Sequence, residues 1–191
     1  KSHTKPRPPR PRAVQSHEVR IIGGQYKRTK LAVADKPGLR PTPDRVRETL
    51  FNWLGQDLSG WRCLDVFAGT GALGFEAASR GAAQVQLVEL DAALVAQLKR
   101  VQSQLEADAV QVVRGDAVAA LRHASAGSLE LIFLDPPFDS VVFEAAVQAA
   151  AQASGTDVTR IGTVSGAPGL RLLDAAGRAV AFCAKSFDHF G

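Results

Sequence analysis

Short apolar runs alternate along the chain with stretches in which apolar residues recur at helical spacing. This alternation predicts strands and helices in turn between residues 61 and 153. Four short runs rich in β-branched and aromatic residues have the length of buried strands, and each precedes a stretch with helical spacing. The predicted strands are WRCLDVF, VQLVEL, AVQVVRG and LELIFLD, and the predicted helices are ALGFEAASRG, DAALVAQLKRVQSQLEA, DAVAALRHA and SVVFEAAVQAAAQA. Because such alternation forms right-handed crossovers, we expect an α/β fold with a mainly parallel twisted sheet and helices on both faces.

A smaller hairpin-and-helix unit is predicted ahead of this sheet, over residues 18–55. The runs VRIIGG and LAV have the character of two strands around the basic stretch QYKRTK, and GLRPTPDRVRETLFNWLG that of a helix. Thr42 suits the N-cap of that helix, Pro43 suits its first position, and Gly55 suits its end. The helical period turns one set of residues to the core and another to the surface. The inward set is Val46, Leu50, Trp53 and Leu54, and the outward set is Arg45 and Arg47.

The two ends of the chain have weaker patterns. After residue 155, TRIGTV is compatible with another strand, and LRLLDAAGRAVAFCA with a hairpin that adds antiparallel edge strands. Residues 1–17 hold four prolines and five basic residues and are too polar to bury a core. We therefore predict a disordered basic tail over residues 1–17, an N-terminal extension of a hairpin and a helix over residues 18–55, and a larger domain over residues 56–191.

The charge is unevenly distributed along the chain and indicates a polyanionic partner. Residues 1–47 hold 13 Lys and Arg against 3 acidic residues, a net charge of +10. Residues 48–191 hold 10 against 16, a net charge of −6. A basic face on a mildly acidic body indicates a polyanionic partner. For residues 1–17 alone, a solvated tail is the plain alternative.

Composition narrows the class of protein. The chain is 46% hydrophobic and 22% charged, as in ordinary globular proteins. It has no run of 18 apolar residues, so we expect no membrane span, and its basic N-terminus lacks the apolar core of a secretory signal. Cys63 and Cys183 stand alone, which predicts a reduced, cytoplasmic protein with no metal site. Because the chain contains no methionine, we expect that the natural start lies upstream.

A glycine-rich stretch, DVFAGTGALG at residues 65–74, lies between the first predicted strand and its helix. Gly69, Gly71 and Gly74 spell GxGxxG, and Glu89 ends the next strand 20 residues after Gly69. This spacing matches the dinucleotide fingerprint, in which backbone amides approach a ligand and a carboxylate binds a ribose diol. A nicotinamide or flavin enzyme is one alternative, and glycines that only pack a helix against a strand are another.

Asp65 changes this picture, because it places a carboxylate at the end of the first strand, four residues before Gly69. A pyrophosphate site gains nothing from an extra negative charge, whereas a cationic ligand is attracted by it. S-adenosylmethionine has both a sulfonium and an ammonium group. Since ligands of open α/β sheets bind along the carboxyl edge, we expect Asp65 to face such a cofactor.

The stretch LIFLDPPFDS, residues 131–140, ends the fourth strand in an acid, two prolines and a phenyl ring. Proline cannot continue the ladder and restricts the residue before it, so Asp135 and Pro136 are both stiffened. An amino group on an aromatic base is a poor nucleophile, and two fixed acceptors, the Asp135 carboxylate and the Pro136 carbonyl, favour its tetrahedral form. Phe138 offers a face for a flipped base. The alternative is a turn that only ends a strand.

Four motifs in this order, DVFAGTGALG, VELD, GDA and DPPF, resemble those of class I S-adenosylmethionine-dependent amino-methyltransferases. The stretches VRIIGGQYKRTKL and GLRPTPDRVRETLFNWL narrow the resemblance to the RsmD family, the 16S ribosomal RNA (guanine-N2)-methyltransferases, over roughly residues 18–150. The resemblance implies a Rossmann-like class I methyltransferase fold, S-adenosylmethionine as cofactor, and 16S rRNA of the small ribosomal subunit as partner. We further expect a cytoplasmic monomer. After about residue 150 the sequence departs from the family pattern.

The resemblance also implies roles for single residues. Asp65 and the Ala68–Gly71 loop would surround the methionine part of the cofactor. Glu89 would bind the ribose hydroxyls, Asp116 would meet the adenine amino group, and Asp135–Phe138 would hold the amino group of the target guanine. The full cofactor set is Asp65, Phe67, Ala68, Gly69, Thr70, Gly71, Glu89, Leu90, Asp116 and Ala117. The catalytic set is Asp135, Pro136, Pro137 and Phe138, and the RNA-binding set is Arg20, Lys27, Arg28, Lys30, Arg40, Arg45 and Arg47.

Two other functions stay open from the sequence. DPPF also serves the methylation of adenine N6 or cytosine N4, so a DNA amino-methyltransferase is an alternative enzyme. A non-catalytic rRNA-binding assembly factor is the second alternative, and cofactor binding without turnover would favour it.

Overall fold

The computed structural model describes residues 18–34, 36, 39, 41–136 and 142–156, and the backbone of residues 172–173 and 179–180. The tail at residues 1–17 and the TRIGTV segment lie outside the described residues. Along the chain, the elements are β1 (Glu18–Arg20), β2 (Lys30–Ala32), α1 (Asp44–Trp53), β3 (Arg62–Asp65), α2 (Ala72–Ser79), β4 (Gln84–Glu89), α3 (Ala92–Gln104), β5 (Val110–Arg114), α4 (Ala117–His123), β6 (Leu131–Phe133), α5 (Phe143–Ser154), β7 (Leu172–Leu173) and β8 (Ala179–Val180).

A parallel sheet of four strands in the order β5-β4-β3-β6 forms the centre of this fold. Each strand and each helix predicted between residues 61 and 153 is present, and most of them are a few residues shorter than the sequence pattern gave. Strand β3 lies between β4 and β6, so that Asp65 pairs in register with Leu87 on one side and Phe133 on the other. The chain segments that follow these three strands therefore meet at one edge of the sheet.

Alternate residues of the strands enter cores on opposite faces of the sheet. On one face, Cys63 and Leu87 pack with Phe75 of α2. On the other face, Leu64 packs with Ala146 of α5, in a second cluster that includes residues of α4. This arrangement confirms the predicted α/β fold with helices on both faces, since residues of β3 and β4 enter both cores.

The N-terminal hairpin and helix α1 share the first of these cores. Strands β1 and β2 pair antiparallel, as predicted. Val19, Leu31 and Phe51 are buried in the cluster that contains Phe75, with at most 6% of each exposed. In packing, residues 18–55 thus belong with the sheet, and the chain divides instead into the compact units Lys1–Val158 and Thr159–Gly191. That residues 18–55 and residues 56–191 have different functions stays a prediction.

Helix α1 turns a different face to the core than its apolar pattern indicated. Arg47 and Phe51 are fully buried, while 52% of Val46 and 82% of Trp53 are exposed. The predicted outward position of Arg47 and the predicted inward positions of Val46 and Trp53 are therefore wrong. Arg47 occupies a core position because hydrogen-bond acceptors, among them the buried Glu76, surround its guanidinium group.

The two ends of α1 differ in how well they were predicted. Gly55 ends the helix as predicted: its φ is +86°, and the amides of Gly55 and Gln56 donate to the Asn52 and Phe51 carbonyls at 3.2 and 2.9 Å. At the start, Pro43 is the N-cap, and no side chain caps the helix. The predicted cap role of Thr42 is wrong, because its hydroxyl group bonds elsewhere.

The second compact unit contains β7 and β8, which pair antiparallel with each other and confirm the predicted hairpin. Among the described strands these two form a sheet of their own, so the predicted addition of antiparallel edge strands to the parallel sheet is not observed. Within the described residues, no helix has the length and apolar character needed to span a membrane.

Gly74 marks the closest approach of α2 to the sheet. A Cβ atom at this position would lie 2.0 Å from Leu87 Cδ2 and 3.3 Å from Asp65 Oδ2, and Leu87 is fully buried. We expect Gly74→Ala to lower the free energy of unfolding by about 1–3 kcal/mol, the usual effect of overpacking. Urea denaturation measures this change. Gly115→Ala is the control, since its Cβ would contact only Val88 Cγ1 at 3.8 Å; equal stability losses in both variants would contradict the packing argument.

Candidate functional site

A cleft of about 550 Å³ opens where strands β3, β4, β5 and β6 end. It contains most of the residues that the sequence assigned to the cofactor and the target base. Those lining it are Asp65, Phe67, Ala68, Gly69, Thr70, Glu89, Leu90, Asp116, Ala117, Asp135 and Pro136. Gly71 does not line the cleft and instead caps α2 with a φ of +79°. Pro137 and Phe138 lie outside the described residues.

Asp65 presents a buried carboxyl group to this cleft, with 1% of the residue exposed. Its Oδ2 atom accepts a hydrogen bond from the Gly74 amide at 3.1 Å, whereas its Oδ1 atom has no partner. Burial raises the pKa of Asp65 to about 7; the Gly74 and Phe67 amides oppose this rise, and the charges of Asp135 and Glu89 add to it. An unpaired buried carboxyl oxygen is costly, which indicates that a cationic partner belongs beside it.

Glu89 joins the glycine loop to the end of strand β4. Its two carboxylate oxygens accept hydrogen bonds from the amides of Gly69 and Asp91, both at 2.9 Å. Asp91 in turn caps α3 by accepting from the Ala93 and Leu94 amides at 2.8 and 3.0 Å. The carboxylate of Glu89 is thus held at the cleft wall by two backbone donors, and its orientation is fixed before any ligand binds.

Asp116 occupies the cleft at the end of strand β5. It is the N-cap of α4, and its Oδ1 atom accepts from the Ala119 amide at 2.8 Å. Its other carboxylate oxygen has no such role in the helix. Ala117 beside it is buried, with 7% exposed.

Asp135 lies directly beyond strand β6, on the opposite side of β3 from Glu89. Its Oδ2 atom accepts a hydrogen bond from the hydroxyl group of Thr42. Thr42 and Pro41 line the cleft with Asp135 and Pro136, so that the N-terminal extension forms part of its wall. Sequence reasoning missed this role of Thr42 because helix-capping preferences explained the residue locally.

The segment before Thr42 also reaches the cleft. Lys36 forms an ion pair with Asp91, and Leu39 lies near the glycine loop, 3.1 Å from where a Cβ atom on Gly69 would be. Lys36, Leu39 and Asp91 were not predicted as site residues. The basic character of the segment was the available signal for Lys36, but nothing local identifies its partner.

The cleft is strongly acidic. Among the described residues that line it, five carboxyl groups stand against one cation, Lys36, and the acidic residues are Asp65, Glu89, Asp91, Asp116 and Asp135. Like charges repel, so this lining disfavours the pyrophosphate of a dinucleotide and favours a cation. The unpaired Oδ1 atom of Asp65 fits an ammonium or sulfonium group of S-adenosylmethionine. Asp65, Glu89 and Asp116 would hold the methionine, ribose and adenine parts of that cofactor.

The predicted RNA-binding residues divide into two groups. Arg20, Lys27, Arg28, Lys30 and Arg45 are exposed. Arg20 approaches Asp44 at 3.9 Å and Lys30 pairs with Glu18 at 2.8 Å, whereas Lys27, Arg28 and Arg45 form no ion pair within the described part of the chain. Arg40 lies outside the described residues.

Arg47 is the exception in this set, because its side chain has no exposed surface. Its guanidinium group donates to Glu76 at 3.3 Å, to Asp44 at 2.6 Å, and to the carbonyls of Arg20 and Thr42 at 2.8 and 3.1 Å. A cation buried with this many acceptors is structural. The prediction that Arg47 contacts RNA is therefore wrong for this conformation.

Known proteins resemble this chain over the part that contains the cleft. The family described as Conserved hypothetical protein 95 matches residues 19–156. The Ribosomal RNA small subunit methyltransferase D of Escherichia coli (strain K12) is 50% identical over 123 residues, which cover 64% of this chain and 62% of that protein. The protein of the same name from Haemophilus influenzae is 44% identical over 133 residues, covering 68% of this chain and 69% of that protein. The chain thus spans about three fifths of the length of the E. coli relative.

The solved structure of E. coli YhhF, named as a candidate methyltransferase, is 45% identical to this chain. The alignment has a TM-score of 0.61 and covers 70% of this chain and 73% of the YhhF chain. With the parallel sheet described above, this similarity confirms the predicted Rossmann-like class I methyltransferase fold. The match to the family ends at residue 156, close to residue 150, after which the sequence departs from the motif pattern of the RsmD family. The chain belongs to the matched family, which is the RsmD family that its motifs predicted.

Proposed function

We propose that this protein transfers a methyl group from S-adenosylmethionine to the exocyclic N2 atom of a guanine in 16S rRNA. Two relatives that are 50% and 44% identical are named as small-subunit rRNA methyltransferases. Because the chain spans only 62% of the E. coli relative, the activity, the substrate and the cytoplasmic location are proposals.

The observation that best supports the proposal is the placement of Asp65 and Asp135 at the ends of the adjacent strands β3 and β6. Asp65 offers an unpaired buried oxygen to a cation, and Asp135 offers an acceptor at the open side of the same cleft. A cationic cofactor and a hydrogen-bond donor can therefore occupy neighbouring positions. A methyl transfer to an amino group requires this arrangement of its two reactants.

The chemistry of the target explains why fixed acceptors are useful. When bound, the cofactor supplies an electrophilic methyl group on a sulfonium. The N2 lone pair of guanine is delocalised into the ring, so the nitrogen must become tetrahedral to attack. The Asp135 carboxylate and the Pro136 carbonyl would accept hydrogen bonds from the two N–H groups and favour that geometry. One of these protons leaves as the new N–C bond forms, and Asp135 is a suitable acceptor for it.

The exposed basic residues of the extension would hold the RNA beside the cleft. Lys27, Arg28 and Arg45 are exposed, and Arg45 lies in the first turn of α1, close to Thr42 in sequence. Phosphate contacts of this kind position a nucleic acid without reading its sequence. Phe138 stays a predicted stacking surface for the flipped guanine.

Incubation with small ribosomal subunits and labelled S-adenosylmethionine tests the proposal directly. The subunits should come from cells that lack the modification, and the labelled rRNA is mapped by mass spectrometry. We expect one labelled guanine carrying a methyl group on N2, and no labelling of duplex DNA. Labelling of duplex DNA alone would identify a DNA amino-methyltransferase. Cofactor binding without turnover on either substrate would favour an assembly factor, and binding of NADH would contradict the acidic cleft as a sulfonium site.

The RNA surface leads to a separate prediction. Arg45→Glu and the double variant Lys27→Glu/Arg28→Glu should weaken rRNA binding and lower the slope of log Kd against log salt by about 1 for each lost phosphate contact. Arg100→Glu, an exposed residue of α3 outside the extension, is the matched control. Salt titrations of fluorescent rRNA binding measure both effects. A slope equal to that of the parent in both extension variants would show that these cations do not contact RNA.

A further inference from the structure

Thr42 contacts Asp135 from a different part of the chain, 93 residues away. Its hydroxyl group donates to Oδ2 of Asp135, and both residues line the cleft. The carboxylate group of an exposed aspartate can rotate about its side-chain bonds, and Asp135 is exposed. One hydrogen bond to a fixed donor removes most of that freedom and leaves the other carboxylate oxygen available.

The position of Thr42 is itself tightly determined. Pro41 and Pro43 flank it, and proline restricts both its own backbone and that of the residue before it. The carbonyl group of Thr42 accepts a hydrogen bond from Nε of the buried Arg47 at 3.1 Å. Local helix capping does not use the hydroxyl group, since Pro43 caps α1 and no side chain contributes.

Arg47 connects Thr42 to the helix that follows the glycine loop. It donates to Glu76 of α2 at 3.3 Å, and both side chains are fully buried. Glu76 is held in addition by the amides of Ile22 and Gly23 at 2.7 and 2.8 Å and by Arg80 Nε at 2.9 Å. A buried ion cluster of this kind costs desolvation energy and adds little net stability, so precise placement of attached groups is its best physical justification.

We propose that Thr42 is a positioning residue for Asp135, with the buried pair of Arg47 and Glu76 as its support. The inference deepens the proposed function and rests on it for its kinetic consequences. The Thr42 hydroxyl group fixes the plane of the carboxylate so that its Oδ1 atom faces the amino group of the target base. The N-terminal extension therefore completes the catalytic cleft in addition to any contact with RNA.

The test compares Thr42→Val, which keeps the shape but removes the hydroxyl group, with Thr42→Ser, which keeps the hydroxyl group. In single-turnover methylation of small subunits, Thr42→Val should be about tenfold slower, the lower end for a hydrogen bond to a charged group, because water partly replaces the donor. Thr42→Ser should recover most of the parent rate. Cofactor and rRNA Kd values should change less than twofold, so that the loss falls on the chemical step.

Thr49→Val is the matched control, because Thr49 is an exposed threonine in α1, the helix that begins just after Thr42. A parent rate in Thr42→Val would overturn the inference. Equal slowing in Thr42→Ser and Thr42→Val would overturn it as well, since a variant that keeps the hydroxyl group would then be as slow as one that lacks it.

A second measurement separates this inference from the proposed function. The carboxyl-carbon NMR resonance of Asp135 should shift in Thr42→Val and not in Thr49→Val, whether or not the parent methylates RNA. An unchanged resonance in Thr42→Val would refute the contact even in an active enzyme. A shifted resonance in a protein that methylates nothing would support the contact and refute the proposed function.

Discussion

Asp135→Ala is expected to slow methyl transfer by about 10²–10³, while the protein folds and binds its cofactor almost as the parent does. Loss of one preorganised hydrogen-bonding group at a reacting centre has an effect of this size. The acceptor acts most strongly when the amino group becomes tetrahedral, so the loss should fall on the chemical step. Folding should be preserved because Asp135 is exposed and lies beyond the last residue of strand β6.

Single-turnover rates on small ribosomal subunits, measured at saturating cofactor, give this effect without contributions from product release. Asp135→Asn should be milder than Asp135→Ala, because its amide oxygen still accepts one hydrogen bond. Asp57→Ala is the matched control: Asp57 is exposed, bonds only with Ser59 among the described residues, and does not line the cleft. If Asp135→Ala methylates at the parent rate, the DPPF stretch only ends a strand.

The central fold could be predicted because each of its elements has a local signal. Strands β3 to β6 are short apolar runs, and the helices between them keep the 3.6-residue period. Once the strands are parallel, their carboxyl ends share one edge, and this places Asp65, Glu89, Asp116 and Asp135 in a common cleft. The places of Asp65, Glu89 and Asp135 could therefore be predicted from strand ends and topology, whereas that of Asp116 was implied by the family resemblance.

The contacts between the extension and the sheet could not be predicted in this way. Arg47 follows a pattern that puts arginine at the surface, and its partner Glu76 lies 29 residues away on another helix. Thr42 satisfies the local rule for a helix cap, but its hydroxyl group bonds to Asp135, 93 residues further on. Local preferences cannot report a competing partner that only the tertiary structure brings near. Because Arg47 faces the core, Val46 and Trp53 lie on the exposed side of helix α1.

The buried carboxyl group of Asp65 should make cofactor binding strongly dependent on pH. In the free protein its pKa is raised from 3.8 to about 7, first by burial and then by the charges of Asp135 and Glu89. A cation beside the unpaired Oδ1 atom stabilises the carboxylate, so binding below pH 7 releases a proton. The apparent Kd for S-adenosylmethionine should therefore fall about tenfold from pH 5 to pH 6 and about fivefold from pH 6 to pH 7, roughly 50-fold in all.

Calorimetry in buffers of different ionisation enthalpy measures this proton release, which should approach one per cofactor near pH 6. The α-amino group of S-adenosylmethionine keeps its charge from pH 5 to pH 7, since the pKa of an α-amino group is about 8. Asp65→Asn, which is nearly isosteric and does not titrate, should bind weakly with a Kd independent of pH over this range. A parent Kd that is equally flat, or equal proton release in Asp65→Asn, would contradict the assignment.

The free protein provides a check on Asp65 that needs no ligand. A carboxyl group with a raised native pKa binds its proton more tightly when folded, so stability falls as pH rises from about 4 to about 7. A rise of the Asp65 pKa from 3.8 to about 7 corresponds to a total change in the free energy of unfolding on the order of 4 kcal/mol. Asp65→Asn should remove this fall. Saturating S-adenosylmethionine should also reduce it in the parent, because the bound cation would replace the proton as the partner of Asp65.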